Sequence, residues 1–382
     1  MAATEGDAAP AARLGGGLLA AALALPGCSV QAADMPTETQ VAFKWLGYQD
    51  WQPGLKRVRV EAPSLRIEAP VGERWSLAAT ATQDSVSGAS PRYHSAVSGA
   101  SVMSDRRQAG DVKLTQHGER SSWRIGAAGS DEHDFRSRAL SLEGSWSSED
   151  NNRQWHAGLG FTRDRIGSMD DASLHARRRT VELSAGLTQV LSAVDVVQLD
   201  LTLADGQGHY SDPYKRIDRR PDERRQRIVL LRWNHHLEGL GATLRTSWRW
   251  YGDSFGIRSH TVSAEWVQAL SPRWALTPSL RVYTQRAAWF YYDPVYSYAG
   301  APLPPGYLEH APATLSPDAR LAGFGALTAG LKLALRLTGG WTADLRLDHY
   351  AQRGGWRLDG DGSPGLAPLR ARFVQVGVAR RF

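Results

Sequence analysis

A transmembrane antiparallel up-and-down β-barrel of about 16 strands is the fold this sequence predicts, and three observations predict it. Apolar and polar residues alternate with period two over stretches longer than most strands of a soluble sandwich. The connections between those stretches alternate between short and long. Tryptophan and tyrosine gather where strands end.

The alternation is clearest between Gly241 and Arg286. Leu244, Thr246, Trp248 and Trp250 hold the even positions of one strand, while Thr243, Arg245, Ser247 and Arg249 hold the odd ones. Val262, Ala264, Trp266 and Leu270 oppose Thr261, Ser263 and Glu265 in the next, and Leu276, Leu280 and Val282 oppose Thr277, Ser279 and Arg281 in a third. Successive side chains of a strand point to opposite faces, so each strand has one greasy side and one charged side. Lipid outside and water inside produce this pattern directly.

The chain of 382 residues carries a net charge of +6, with 22% charged residues. That balance points neither to a disordered chain nor to a dedicated polyanion binder, and no nucleic acid is expected as a partner. Mean hydropathy is negative, and no run after the N-terminus reaches the length of a spanning helix. A barrel looks soluble by that measure because half of every strand is polar. Residues Leu14 to Gly27 form a short apolar run after Arg13, read as a secretory signal cut after Ala32, which leaves 33–382 as one barrel domain. Glu5 and Asp7 offset Arg13 in that signal. Cys28, the only cysteine, sits in a poor lipobox and leaves with the signal on this reading, so no internal disulfide forms.

In chain order, Gln40 to Gly47 predicts the first strand and Tyr48 to Lys56 a loop. Val58, Val60, Leu65 and Ile67 predict a second strand whose phase shifts at Pro63, with a bulge as the expected cause. Trp75 to Asp84 returns the chain, and a loop containing VSGAS twice, at Val86 to Ser90 and Val97 to Ser101, follows. Gln108 to Gln116, Ser121 to Gly129, Phe135 to Trp146, Trp155 to Phe161, Thr180 to Leu191 and Val197 to Leu203 alternate in turn. Gly206 to Glu223 is a charged loop, and Ile228 to Leu237 leads into the stretch described above. After Arg286 comes an aromatic, proline-rich excursion too long for a mere connector. Leu331 to Leu337, Trp341 to Leu347 and the terminal RFVQVGVARRF complete the strands, separated by TGG and by the glycine-rich Gln352 to Leu369.

The tight links PVGE, HGER, SEDNN, SAV, EGL, SPR and TGG alternate with long ones. Short turns face the periplasm in bacterial barrels, which places both termini there. Trp75, Trp123, Trp146, Trp155, Trp274 and Trp341 lie beside those turns. Trp248, Trp250, Tyr251, Trp289, Phe290, Tyr291, Tyr292 and Tyr350 lie at the opposite strand ends, so two aromatic girdles are expected.

Several segments resemble the domain of unknown function 3570 family: SVSGASP (85–91), AVSGAS (96–101), SDEHDFRS (130–137), SDPYKRIDRRPDER (211–224), WRWYGDSFGIRSHT (248–261), RVYTQRAAWFY (281–291) and DARLAGFGA (318–326). The resemblance runs in order from about Ala62 to Phe382. It implies a secreted barrel of the Gram-negative outer membrane with no assigned activity. Its members' gene neighbours imply an envelope redox context, with a periplasmic redox or lipoprotein partner, and no residue-level role carries over. Arg380 departs from the usual apolar terminal-strand signal, where it can snorkel to the interface.

With polar faces inward, the lumen wall gathers Arg232, Arg245, Arg249, Arg281, Arg336 and Arg346, with Glu265 among them. Two readings stand side by side: a cluster that favours anions, and cations paired with acids to brace the wall. No catalytic set emerges, and no enzyme is expected. His235 and His236 face opposite sides of their strand, while His94, His209 and His260 lack zinc spacing. The serines of VSGAS lack a nucleophile elbow. Asp205, Asp212, Asp218 and Asp222 have the chemistry for calcium, but the interleaved Lys215, Arg216, Arg219 and Arg220 favour solvated pairing. No cofactor or metal is expected. The function expected is a conduit for small solutes, or a sheath for a redox partner, among outer-membrane lipids. A rim-site enzyme and a structural or adhesive barrel are the alternatives.

Overall fold

Each strand pairs antiparallel with its chain neighbour until the last meets the first, and the sheet closes on itself. The computed structural model describes residues 35–88, 103–215, 217–293 and 313–382. Among these, sixteen strands run β1 Gln40–Gln52, β2 Leu55–Val71, β3 Trp75–Gly88, β4 Met103–His117, β5 Ser121–Asp131, β6 Phe135–Ser147, β7 Arg153–Ile166 and β8 Ala176–Val190. They continue as β9 Asp195–Gly208, β10 Glu223–Leu237, β11 Ala242–Asp253, β12 Arg258–Ala269, β13 Trp274–Gln285, β14 Phe324–Arg336, β15 Trp341–Arg353 and β16 Leu369–Arg381. Register runs unbroken from Gln40↔Arg381 to Trp51↔Arg370 across the closing seam, so no strand edge is left unpaired. The signal segment, Cys28, the second VSGAS repeat, the last two residues of the first and most of Pro294 to Pro317 lie outside the described residues, while Val86 to Gly88 of the first repeat end β3 where a loop was expected.

Alternation along strands becomes rows across them. On β6, β7 and β8, Trp146, Trp155 and Leu187 are register partners, as are Leu142, Leu159 and Leu183, and then Leu140, Phe161 and Val181. These leucines, aromatics and valines point out of the barrel, and Leu140 and Leu183 are more than half exposed. A large apolar surface left open on a closed barrel has one natural solvent, the hydrocarbon of a membrane. Trp75, Trp123, Trp146, Trp155, Trp274 and Trp341 all stand exposed at the short-turn end, which makes the expected girdle there.

The girdle at the loop end is different. Trp248 and Trp289 are exposed, but Tyr251 and Phe290 are buried and face the interior. Sequence position near a strand end does not reveal which face a ring takes, and these rings have turned inward to a core.

The second strand corrects two expectations. The chain between β1 and β2 is only Pro53 and Gly54, and Tyr48 to Lys56 belong mostly to the strands. Register passes straight through Pro63, which sits opposite Trp45, and shifts instead between Gln49 and Trp51. The bulge forms there because the Asp50 carboxylate accepts the Val58 amide at 2.8 Å, while Tyr48 and Arg57 donate to the same carboxylate at 2.8 and 3.2 Å. The change of phase at Pro63 is a change of solvent. Leu65 and Ile67 face outward and are exposed, whereas Val58, Val60 and Ala62 face inward and join Leu46, Tyr48, Ala371 and Phe373 in a buried cluster. Beyond the apolar band the outward side carries Arg59 and Glu61, paired at 2.6 Å.

Candidate functional site at the loop-end mouth

The described parts of four loops converge on the mouth of the barrel: 209–215 and 217–222 after β9, 254–257 after β11, 286–293 and 313–323 after β13 and 354–368 after β15. Their apolar residues fold inward. Phe255, Ala288, Phe290 and Leu321 pack with Tyr251 and against Ile228, both on the inner wall. Ala322 and Leu366 pack with Phe324 and Ala326, against Tyr283 and Tyr350 of the inner wall. Main-chain bonds fasten the loops to one another: Ala288 to Leu321, Trp289 to Phe255, Arg219 to Leu315 in both directions, and Ser363 to Gly323. From β13, Gln285 donates to the carbonyls of Arg320 and Ala322 at 2.9 and 2.8 Å.

A buried knot of six charges ties this cap. The Asp318 carboxylate receives Lys215 Nζ at 2.7 Å and Arg220 Nη2 at 2.6 Å, and it also pairs with Arg320. Arg320 reaches Asp212 at 2.8 Å, and Arg220 reaches Asp218 at 2.6 Å. Three carboxylates meet three cations, so the knot is neutral as a whole. Burial alone pushes the Asp318 carboxyl up, but the charges of Arg320, Lys215 and Arg220 outweigh it and hold the group well below the usual carboxylate range. Burial pushes the Lys215 amine down, and Asp318 partly restores it. Beside the knot, Arg224 lies across the Phe255 ring, 4.7 Å from its centre, and pairs with Asp253 at 2.6 Å. Tyr251 donates to the same carboxylate at 2.7 Å.

Asp212, Asp218 and Asp318 are close enough to share a metal ion. Of the acids considered for calcium, only Asp212 and Asp218 meet. Asp205 lies on the outer rim beside Arg225, and Asp222 adds no ligand to this group. With three cations already on the three carboxylates, the donor set acts as a brace. Pairing was the expected fate of this loop, but the pairing is buried, and two of its six charges are Asp318 and Arg320 in a loop almost 100 residues further along, as the separation of Arg220 and Asp318 shows. Sequence reading missed that pair. The signal available was the recurrence of Asp and Arg in SDPYKRIDRRPDER and in DARLAGFGA, whose meeting only the closed topology dictates.

The lumen wall divides in two. On β3 to β9 the inward positions are mostly small or polar, among them Thr80, Thr82, Gly126, Ser141, Gly158, Ser184 and Thr202, and Ala128 and Glu182 are exposed to solvent from inside. On β10 to β13, Arg232 and Ser247 are register partners, then Ser247 and Ser263, then Ser263 and Arg281. Arg245 and Arg249 flank Ser247 on the same face, so four of the arginines singled out above share one patch. Glu265 stands opposite Arg245 in register, and its carboxylate lies 3.8 Å from Arg346, which also pairs with Asp348 at 2.8 Å. Arg232 and Arg245 make no ion pair among the described residues, and Arg249 lies over the Tyr251 ring. Arg336 sits apart at the short-turn rim, opposite Thr342. Bracing pairs form elsewhere on the wall: Arg124 with Glu143 at 3.0 Å, and His156 with Asp200 at 2.9 Å. His235 faces outward to Asp195, away from His236, as their adjacency requires. His260 stacks on Trp248, and His94 lies outside the described residues.

A closed sheet of sixteen strands with an apolar exterior, a polar interior and loops packed against the inner wall at one mouth defines a transmembrane β-barrel of the bacterial outer-membrane kind. The chain belongs to the family described as Protein of unknown function (DUF3570), whose profile matches residues 16–177 and 167–373. A bacterial polysaccharide outer membrane secretin is similar in fold, with a TM-score of 0.52 at 10% identity, covering 91% of this chain and 100% of that one. CdiB from Acinetobacter baumannii (TM-score 0.49, 10% identity) is covered over 60% of its length by 88% of this chain. The siderophore receptor PirA from Pseudomonas aeruginosa (TM-score 0.46, 12% identity) is covered over 57% of its length by 84% of this chain. This chain therefore spans less than two thirds of those two proteins. No protein of curated function matches it.

Proposed function

We propose that the protein is an outer-membrane conduit for small solutes, narrowed toward the cell exterior by its knotted loops and open to water from the periplasmic side. The observation that carries this reading is the inner wall of β3 to β9, where glycine, serine, threonine and alanine leave room for water beneath the cap. The short turns face the periplasm and the loops face outward. The patch of Arg232, Arg245, Arg249 and Arg281 biases what passes toward anions, because its cations outnumber the acids in register with them.

Swelling of liposomes containing the purified protein tests the conduit. The expected result is swelling with the smallest neutral solutes and none with larger ones, and faster swelling for Asp318→Ala. Intact, folded protein that supports no swelling in either form overturns the proposal. In planar bilayers under a salt gradient, the reversal potential is expected to report anion preference. Replacing the four arginines by glutamine is expected to abolish it, and cation preference in the wild type contradicts the assignment.

A further inference from the structure

We propose that the outer surface of β6, β7 and β8, just beyond the apolar band on the loop side, is a binding surface for the phosphate groups of lipid headgroups. The rows that make the apolar band do not stop at Leu140, Phe161 and Val181. The next row in register is Arg138, Arg163 and Arg179, and the one after it is Arg136, Arg165 and Arg177. Each shares the outward parity of the apolar residues below it, and all six are exposed. Six guanidiniums therefore form a grid of three by two. From strand spacing and rise, it covers about 10 by 7 Å.

Like charges directly opposed across strands destabilise a sheet. Here three register neighbours in each of two rows repeat the offence, and the local acids do not cancel it. Among the ion pairs of the described residues, Asp131 serves the grid, accepting from Arg136 at 2.7 Å and from Arg138 at 2.8 and 3.0 Å. Arg179 donates to the neutral Gln207 at 2.5 Å. Arg163, Arg165 and Arg177 make no ion pair among the described residues. Neighbouring loop carboxylates are engaged elsewhere, Asp134 by Tyr214 and Asp171 by Ser173. Elsewhere on this rim Arg59 is matched by Glu61 at 2.6 Å, and Arg225 by Glu223 and Asp205 at 3.5 and 3.9 Å, whereas the outward Arg227 stands singly, with Leu203 and Gly252 as its register partners.

Position decides the ligand. A soluble polyanion has no reason to seek a site whose lower edge is Leu140, 62% exposed, and Phe161, 45% exposed. A lipid fits both halves at once, with acyl chains against the leucines and phosphates against guanidiniums, whose planar fork suits bidentate contact with phosphate. The outer leaflet of the membrane assigned above is made of phosphorylated glycolipid, which supplies that chemistry at that height. The inference rests on the outer-membrane reading and on the loop end facing outward.

The test reconstitutes the full chain in phosphatidylcholine vesicles carrying either bisphosphorylated lipid A or its dephosphorylated form. Lipid retained after detergent extraction is counted by native mass spectrometry. The expected result is at least about tenfold preference for the phosphorylated form in the wild type, lost in Arg163→Gln/Arg165→Gln/Arg177→Gln and kept in Arg225→Gln. Equal retention by wild type and triple variant overturns the site. Displacement of the lipid by millimolar inorganic phosphate alone makes it a site for free phosphate and overturns the lipid assignment. Protease protection of the barrel in both vesicles is read first. A chain that enters neither kind fails the membrane reading itself, and one that enters both without preference fails only this inference.

Discussion

Asp318 illustrates how much one side chain decides here. Its carboxylate is buried among Lys215, Arg220 and Arg320, which came from loops far apart in sequence. Removing one member of such a group leaves uncompensated charge in a dry place, which costs about 3–5 kcal/mol. Asp318→Ala is therefore expected to loosen the cap without unfolding the barrel, and limited proteolysis should cut within the loops while the strands stay protected. Unchanged loop protection contradicts that. The pH dependence has a definite sign. A carboxylate held below its ordinary value of 3.8 adds stability that is fully present above that value and is lost as pH falls through the depressed one. The cap is thus expected to hold at pH about 4 and to open only in stronger acid. Cap opening on mild acidification, near pH about 6, runs against this assignment. None of these partners is adjacent in sequence to all the others, so alternation and spacing had no means of joining them. Gly208 is equally local: its φ of 121° and the Arg177 carbonyl against it leave no room for a Cβ where the chain turns from β9 into the cap.

Strands were legible because period two survives any register, and closure needs only that each strand pair with the next. Boundaries were less so. Past Phe161 the alternation continues through Arg163 and Arg165, where both faces are polar and an eye set for greasy residues stops early. On β2 the sense of the faces reverses, because above the membrane water lies outside and an apolar core inside, and one strand crosses both regimes. Such reversals look like bulges in sequence. The lipid-facing assignment gives a paired prediction on β8. Leu183→Arg, in the middle row of the band, is expected to cost about 2–4 kcal/mol of folding stability in bilayers, whereas Ser184→Arg on the inner wall is expected to cost far less. Equilibrium refolding into lipid vesicles under denaturant measures both. Similar costs at the two positions contradict the placement of the band.

At the scale of the whole molecule, the barrel is a rigid frame whose two ends do different work. The short-turn end is a ring of exposed tryptophans. At the loop end, four connections fold back against Ile228, Tyr251, Tyr283 and Tyr350 of the inner wall, and two of them are locked together by charge. The segments that resemble the family from 130 to 326 converge on this mouth: Tyr214 bonds Asp134, Arg224 bonds Asp253, Gln285 bonds the carbonyl of Arg320, and Lys215 bonds Asp318. The sequence showed where these segments lie but not that they meet, since their meeting depends on the closed topology that brings their loops to one mouth. The central claim, a water-filled lumen narrowed by its own cap, is tested most directly by single-channel conductance in planar bilayers. The comparison is between the wild type and a variant in which residues 287–322 are replaced by a short turn. A conductance several-fold larger in the variant, with the same heat-resistant folded band in both, is the predicted result. A folded variant that conducts no better than the wild type contradicts the account.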